Sequence, residues 1–544
     1  MPAQPVKIYD TTLRDGTQRE GISYTVLDKL RIAKRLDAFG VSYIEGGWPG
    51  SNPRDAEFFQ RAREESFSHA KLTAFGMTRR AANAPENDPN LLALLEAGSP
   101  VCTLFGKSWT LHVTEVLRTS LDQNLVMIED SVNFLKTSGR EVIYDAEHFF
   151  DGYAADPAYA LETLKAAARG GATCLVLCDT NGGTLPWRIE EVVRTVVGEF
   201  QVAIGIHAHN DTGCGVANSL AAVRAGASQV QGTINGYGER CGNANLTSII
   251  ANLELKLGIS CIPAGKVREL NDLSRFVADV ANLAFDEHAP YVGYSAFAHK
   301  GGVHVAAMRR HADSYQHIQP ELVGNSMRVV VSELSGKGNI LSKAEELGVQ
   351  VRDGGESEAL QEIKEAEARG LSFESAEASL SLLLKRREAD YRPLFSVLDY
   401  HVMVGRRESS PEIFAEATVK VRVKGNVVHT AGAGNGPVSA LSDALLKALT
   451  PVFPEVSEVH LADYKVRILD SNAGTEAITR VLIDSRDARG GFSTVGASPN
   501  IIDASLGALV DSLEFYLLRN APSAESSAFS ASPARTHTQE LEAP

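Results

Sequence analysis

The sequence predicts an α/β chain built on a (β/α)8 TIM barrel, followed by a helical linker region and a C-terminal α+β domain of duplicated βββα units. Up to about residue 257, short β-rich runs alternate with amphipathic helical stretches, the pattern of βα units on a parallel sheet. Polar, reactive residues follow several of these runs at once. After about residue 395 the pattern changes to two successive sets of three strand-like runs and a helix.

The eight runs are Val6 to Tyr9, Val41 to Glu45, Lys71 to Phe75, Val101 to Phe105, Glu141 to Asp145, Cys174 to Cys178, Val202 to His207 and Gln229 to Ile234. Their number and spread favour a closed barrel; an open doubly wound sheet is the alternative. Residues 258–392 read as a mainly helical linker, with charged faces such as Glu356 to Arg369 on solvated surface. Strand-like runs at Ser396 to Met403, Ala417 to Val423 and Val427 to Ala431 precede a helix over Pro437 to Leu449. A second set at Val459 to Leu469, Ala477 to Ser485 and Gly491 to Gly496 precedes a helix over Ile501 to Leu518. Residues 393–520 therefore form their own domain, and the Ser-, Ala- and Pro-rich stretch 521–544 is expected to be disordered. The Gly432 to Pro437 run lacks the lysine and the strand-to-helix context of a phosphate loop, so it reads as a turn entering a helix.

At 544 residues and 44% hydrophobic content, the chain exceeds one compact core. Its formal charge of -15, from 68 acidic and 53 basic residues, opposes general attraction to nucleic acid or to an anionic membrane. The six cysteines make no paired zinc pattern, and Cys174 and Cys178 read as core residues of a buried strand. With no basic-then-apolar leader and no long apolar span, a soluble, cytoplasmic protein is expected.

In a barrel, the C-terminal ends of the strands converge on one face, so the polar residues after them share one pocket. His207 and His209 stand at i and i+2 at the end of the seventh run, and both side chains leave the same face. Closure places the loop after run 1, with Asp15, and the loop after run 8, with Asn243, beside them. Two nitrogens and two oxygens make a shell suited to Mg²⁺, Mn²⁺ or Zn²⁺; two satisfied loop histidines are the plainer alternative. A 2-oxo acid could chelate such an ion, with Arg14 stabilising charge on the keto oxygen or pairing with a neighbouring carboxylate.

Three runs now carry a resemblance: Asp10-Thr11-Thr12-Leu13-Arg14-Asp15-Gly16, His207-Ala208-His209-Asn210-Asp211, and Gly232 to Gly236 with Gly238 to Asn243. In their order they resemble the signatures of the DRE-TIM metallolyase superfamily, and within it the isopropylmalate, homocitrate and citramalate synthases. The resemblance implies a divalent metal on Asp15, His207, His209 and Asn243, with Arg14 assisting the carbonyl and acetyl-CoA as co-substrate. The segment Ala298 to His304 is similar to the one whose histidine helps deprotonate acetyl-CoA. This match falls on His304, with Tyr315 at a companion tyrosine position. Glu147 matches a glutamate near the acetyl methyl, and Thr180 a threonine contacting the 2-oxo acid. His304, assisted by Glu147 or by a water, is the candidate base, and which group takes the proton stays open. The C-terminal region resembles the regulatory domain of these synthases, which implies a homodimer and feedback by an amino acid, isoleucine or leucine.

Glu45 to Gly50 and Phe105 to Trp109 resemble the citramalate-forming members, which implies pyruvate as the 2-oxo acid. Large side chains at Trp48, Phe105 and Tyr144 would shrink the pocket toward a methyl group; packing of the barrel rim is the plainer role for each. The alternatives are 2-oxoisovalerate as substrate, a lyase sharing the metal motifs, and an inactive amino-acid-binding regulatory protein.

Overall fold

The computed structural model describes residues 4–332, 335–349, 355–388, 391–406 and 413–520. The expected tail at 521–544 lies outside them. The chain divides into two compact units, one comprising Met1–Phe297 with Gln316–Met327 and the other Ala298–Tyr315 with Arg328–Pro544.

The first unit is a closed parallel barrel of β1 (Lys7–Asp10), β2 (Tyr43–Gly47), β3 (Lys71–Met77), β4 (Val101–Lys107), β5 (Glu141–Glu147), β6 (Cys174–Asp179), β7 (Ala203–Ala208) and β8 (Gln229–Gly232). All eight expected runs are strands. The barrel shuts by pairing β1 with β8, Lys7 opposite Gln229 through Asp10 opposite Gly232. Side chains alternate along each strand. Tyr9, Tyr43, Val101, Ile143, Cys174, Val176 and Cys178 form a cluster inside the barrel. Ile8, Ile44, Leu104, Val142, Leu175 and Ile206 belong to the cluster shared with the helices.

Local chemistry starts the surrounding helices. Thr25 and Asp28 make a reciprocal capping box on Val26–Phe39. Asn52, Asp88 and Asp156 cap helices whose next residue is Pro53, Pro89 or Pro157, where a missing N–H costs nothing. The helix Leu270–Val280, expected in the linker, belongs to the barrel unit because Leu270, Leu273 and Val277 bury in its cluster.

In the second unit, the helices Lys337–Glu346, Gly355–Ala368 and Glu377–Lys385 carry a small cluster around Ile340, Ile363 and Leu380. The duplicated domain follows. Antiparallel strands Phe395–Arg406, Ile413–Val423 and Asn426–Gly434 precede the helix Pro437–Leu449; His460–Ile468, Thr479–Asp487 and Gly490–Ser498 precede Ile501–Asn520. The repeat extends to atoms. A Cβ on Gly432 would strike the backbone of Ala440 and Ala444, and one on Gly496 that of Ala504 and Ala508, at the same spacings. Glycine at these positions lets each helix press onto its sheet; both lie within paired strands, so the turn expected from Gly432 starts only after Gly434. Among the described residues, no helix is long and apolar enough to cross a membrane.

One buried ion pair connects the fold to the site. Lys29, 3% exposed, pairs with Asp55, 6% exposed, and donates to the Gly46 carbonyl at 3.0 Å. The other Asp55 oxygen accepts from the Trp48 amide at 2.9 Å, fixing the loop after β2. Asp55→Ala should destabilise the barrel by about 3–5 kcal/mol, because Lys29 is left buried and unpaired. The double replacement Lys29→Met/Asp55→Leu should recover most of that loss. Urea unfolding followed by tryptophan fluorescence checks this, since Trp48, Trp109 and Trp187 all lie in the barrel unit.

Candidate active site

The C-terminal ends of the barrel strands enclose a cavity of about 270 Å³, lined among others by Arg14, Asp15, Trp48, Phe75, Phe105, Glu147, Thr180, His207 and His209. Asp15 opens a short 3-10 turn after β1, and the two histidines close β7. The Nε2 atoms of His207 and His209 are 3.1 Å apart, and they lie 3.3 and 3.8 Å from Asp15 Oδ2. All three residues are buried, and one ligand atom from each falls within 4.8 Å of the others. Asn243 bridges to His209 through its backbone; its Nδ2 donates to the Tyr237 carbonyl, and its Oδ1 is buried with no hydrogen-bond partner. A buried amide oxygen left unpaired, on a residue whose backbone bridges to His209, suits a further donor to a divalent cation. Gly238 makes room for it, at φ +156° with Asn243 Nδ2 where a Cβ would stand.

Deeper groups aim these ligands. Gln231 Oε1 sits 2.9 Å from His207 Nδ1, and Gln231 Nε2 donates to Asp145 Oδ1 at 3.0 Å. This leaves Nε2 of His207 facing the cluster. Arg240 binds both Asp211 oxygens and the Thr180 carbonyl, with a nitrogen 3.2 Å from His209 Nδ1. Burial raises the Asp15 carboxyl, but Arg14 and the histidines more than reverse it and hold it well below the usual range. Burial and the His207 charge push His209 down to about 4, so its imidazole is neutral at physiological pH. Burial lowers His207, and the Asp15 carboxylate outweighs it to raise the ring. Asp145 is pushed up to about 7 by burial.

Arg14 is held on two sides. Its Nε donates to Glu45 at 2.5 Å, and its guanidinium lies 3.8 Å over the Phe75 ring. Glu45, wholly buried, also accepts from Tyr9 Oη at 2.7 Å. Phe75 stacks on Phe105 with centroids 5.3 Å apart, Trp48 meets both edge-on, and its indole N–H donates to Asn90. Thr180 Oγ1 accepts the His148 amide, leaving its O–H free to donate.

Three expectations change. Tyr144 is not in the cavity: it is fully buried and faces outward against Gly106 in the helix-side cluster, because Ile143 and Asp145 take the inward positions of β5. Trp109, expected with the other aromatic residues near the strand ends to favour pyruvate, packs on His112 and His148 and is absent from the lining. Cys178, expected as core alone, also lines the cavity, with burial raising its thiol far above the ordinary value. His304 and Tyr315 lie in the second unit, their rings stacked with centroids 4.2 Å apart. Phe75, Asp145, Gln231 and Arg240 were missed as site residues.

Residues 5–277 match the HMGL-like family, 291–370 the homocitrate synthase post-HMGL domain-like family, and 374–517 the LeuA allosteric (dimerisation) domain. An (R)-citramalate synthase of Geobacter sulfurreducens is 55% identical, covering 94% of this chain and 97% of the relative. One from Aquifex aeolicus is 51% identical, covering 95% and 99%. The chain belongs to the citramalate synthase family. A probable 2-isopropylmalate synthase of Methanosarcina acetivorans is more distant, at 30% identity over 94% of this chain and 96% of the relative. Asp15, His207 and His209, which the sequence singled out, are gathered by the barrel, and the match to the dimerisation domain falls on the duplicated unit.

His207→Ala should lose bound divalent metal. Gln231→Leu, which frees the imidazole to rotate, should weaken metal binding by about 10- to 100-fold with the fold retained. Metal content after dialysis and calorimetric titration with Mn²⁺ or Zn²⁺ measure both, and wild-type affinity in either variant would refute the assigned shell.

Proposed function

We propose that this chain condenses acetyl-CoA with pyruvate and water to give (R)-citramalate and CoA, a step toward isoleucine. The observation that carries the reading is a buried Asp15/His207/His209 cluster opening on a small cavity walled by Trp48, Phe75 and Phe105. It is supported by relatives over 50% identical along nearly their whole length that are named citramalate synthases.

A divalent ion on Asp15, His207, His209 and Asn243 would supply Lewis-acid polarisation of a 2-oxo acid; Mg²⁺, Mn²⁺ and Zn²⁺ all suit the donors. Arg14, fixed by Glu45 and Phe75, stabilises negative charge growing on the keto oxygen. The free Thr180 O–H donates to the substrate carboxylate. Glu147, with His304 the alternative base, takes a proton from the acetyl methyl; the resulting carbanion bonds to the keto carbon, and the alkoxide so formed takes a proton back from the protonated base. Water then attacks the thioester carbonyl, the C–S bond breaks, and CoA leaves as the thiol. A part for His304 and Tyr315 in proton removal rests on family resemblance.

On this reading the three rings narrow the cavity toward a methyl rather than an isopropyl substituent. Each extra methylene is worth about 1–3 kcal/mol in an apolar pocket, so kcat/KM for pyruvate should exceed that for 2-oxoisovalerate by roughly tenfold or more. CoA release with a panel of 2-oxo acids measures it, and a larger value for 2-oxoisovalerate would leave an isopropylmalate synthase instead.

Homodimer formation through residues 393–520 is part of the proposal, supported by Met403, Val404, Val427 and Ile468, which are more than half exposed on the sheets. So is a cytoplasmic setting, in keeping with six free cysteines. Isoleucine is the proposed feedback effector, with leucine the comparison. An effector shifts activity only if it binds the less active state more tightly. A coupling of about 1–3 kcal/mol corresponds to roughly 5- to 150-fold in affinity. Isoleucine should therefore raise the apparent KM by a factor in that range and bind the full-length protein by calorimetry. Absence of binding by either amino acid would remove the feedback role.

A further inference from the structure

Lys107 touches the active site from behind its wall. Glu147 lines the cavity and Lys107 does not, yet their side chains form an ion pair at 16% and 24% exposure. Both are the last residues of neighbouring strands and stand opposite each other in the β4–β5 register. The backbone around the pair is pinned. The Ser108 amide donates to the Glu147 carbonyl at 3.2 Å, and Asn124 Nδ2, in a fully buried residue, donates to the Lys107 carbonyl at 2.9 Å. Lys107 Nζ also lies 5.5 Å from the centroid of Phe105, a ring of the aromatic wall.

The charge around Glu147 makes this contact more than a surface pair. The cavity also carries Asp15, Asp145 and Glu239. Its arginines are committed elsewhere, Arg14 to Glu45 and Asp15, Arg240 to Asp211. Lys107 is the cation that faces Glu147. A partly buried ammonium, with its main chain fixed at two points, both selects one carboxylate geometry and offsets repulsion from the neighbouring acids.

We propose that Lys107 is a positioning residue for the barrel chemistry set out above: it holds the Glu147 carboxylate in the orientation from which that group takes the acetyl methyl proton. The proposal rests on the acyl-CoA condensation reading for its kinetic consequence, and on geometry alone for its structural one. A carboxylate displaced by about an ångström from a weakly acidic C–H loses proton-transfer efficiency on the order of 100-fold. The loss falls on the rate constant, because Lys107 does not line the cavity and acts through Glu147.

The experiment uses full-length Lys107→Met, Lys107→Arg, Glu147→Gln and the Lys107→Met/Glu147→Gln double variant, with metal content and thermal unfolding checked for each. Crystal structures of the two lysine variants come first: Glu147 should occupy a new or second rotamer in Lys107→Met and its original one in Lys107→Arg. In CoA-release assays with pyruvate, Lys107→Met should lower kcat by about 10- to 100-fold while KM for pyruvate changes less than threefold, and Lys107→Arg should recover most of the rate. The double variant should be no slower than Glu147→Gln, since Lys107 acts only through that carboxylate. An unmoved Glu147 in Lys107→Met overturns the proposal, as does a kcat within twofold of the wild type or additive losses in the double variant. If wild-type protein releases no CoA with pyruvate or any other 2-oxo acid, the condensation reading fails, and the rotamer comparison still decides whether Lys107 positions Glu147.

Discussion

The pairing of β8 with β1 is the contact on which the site depends. It sets Thr11 against Gly232, 221 positions later in the chain, through the Thr11 hydroxyl and the Gly232 carbonyl. The loop after β1 then lies beside the loops after β7 and β8. Asp15 thereby comes within 3.3 Å of His207, and Ile234 donates its amide to Thr12. An open sheet of the same strands would leave Asp15 on one edge and the histidines near the other. Closure is a property of all eight strands together, so every helix that packs on the barrel contributes indirectly to the geometry of three side chains.

Inside the barrel, apolar packing gives way toward the C-terminal end to a connected polar layer. Tyr9 bonds Glu45 and Thr103, Glu45 holds Arg14, and Asp145 holds Gln231, which aims His207. Buried polar groups of this kind cost stability unless each is satisfied. Here these groups are paired among themselves, while Asn243, whose backbone bridges to His209, keeps a buried Oδ1 without a partner. Asp15 stays ionised although it is buried, because Arg14 and two imidazoles surround it. A site that keeps an anion and a free amide oxygen out of water is preorganised for a cation.

The duplicated C-terminal domain follows a different rule. Its sheets press against their helices through Gly432 and Gly496, where any side chain would collide with helix backbone. The opposite sheet faces stay exposed and partly apolar. Such faces are costly in a lone chain and useful in an assembly, which agrees with the allosteric dimerisation domain that this region matches.

The sequence by itself determined the eight strands, the repeat and the cluster of Asp15, His207 and His209. Strand patterns, capping residues and i, i+2 spacing are local properties, written wherever a strand must alternate or a helix must begin. Which side of a strand faces inward was not legible in the same way at β5. Tyr144 and Asp145 are adjacent and both suited a pocket in composition, and only the packing of Tyr144 on Gly106 under the helices decided that Asp145 looks into the barrel. Phe75 under Arg14, Gln231 behind His207 and Lys107 against Glu147 were likewise settled by tertiary structure, because each joins strands or loops that are distant in the chain. A side chain's residue type fixes what it can bond; closure and register decide what it meets.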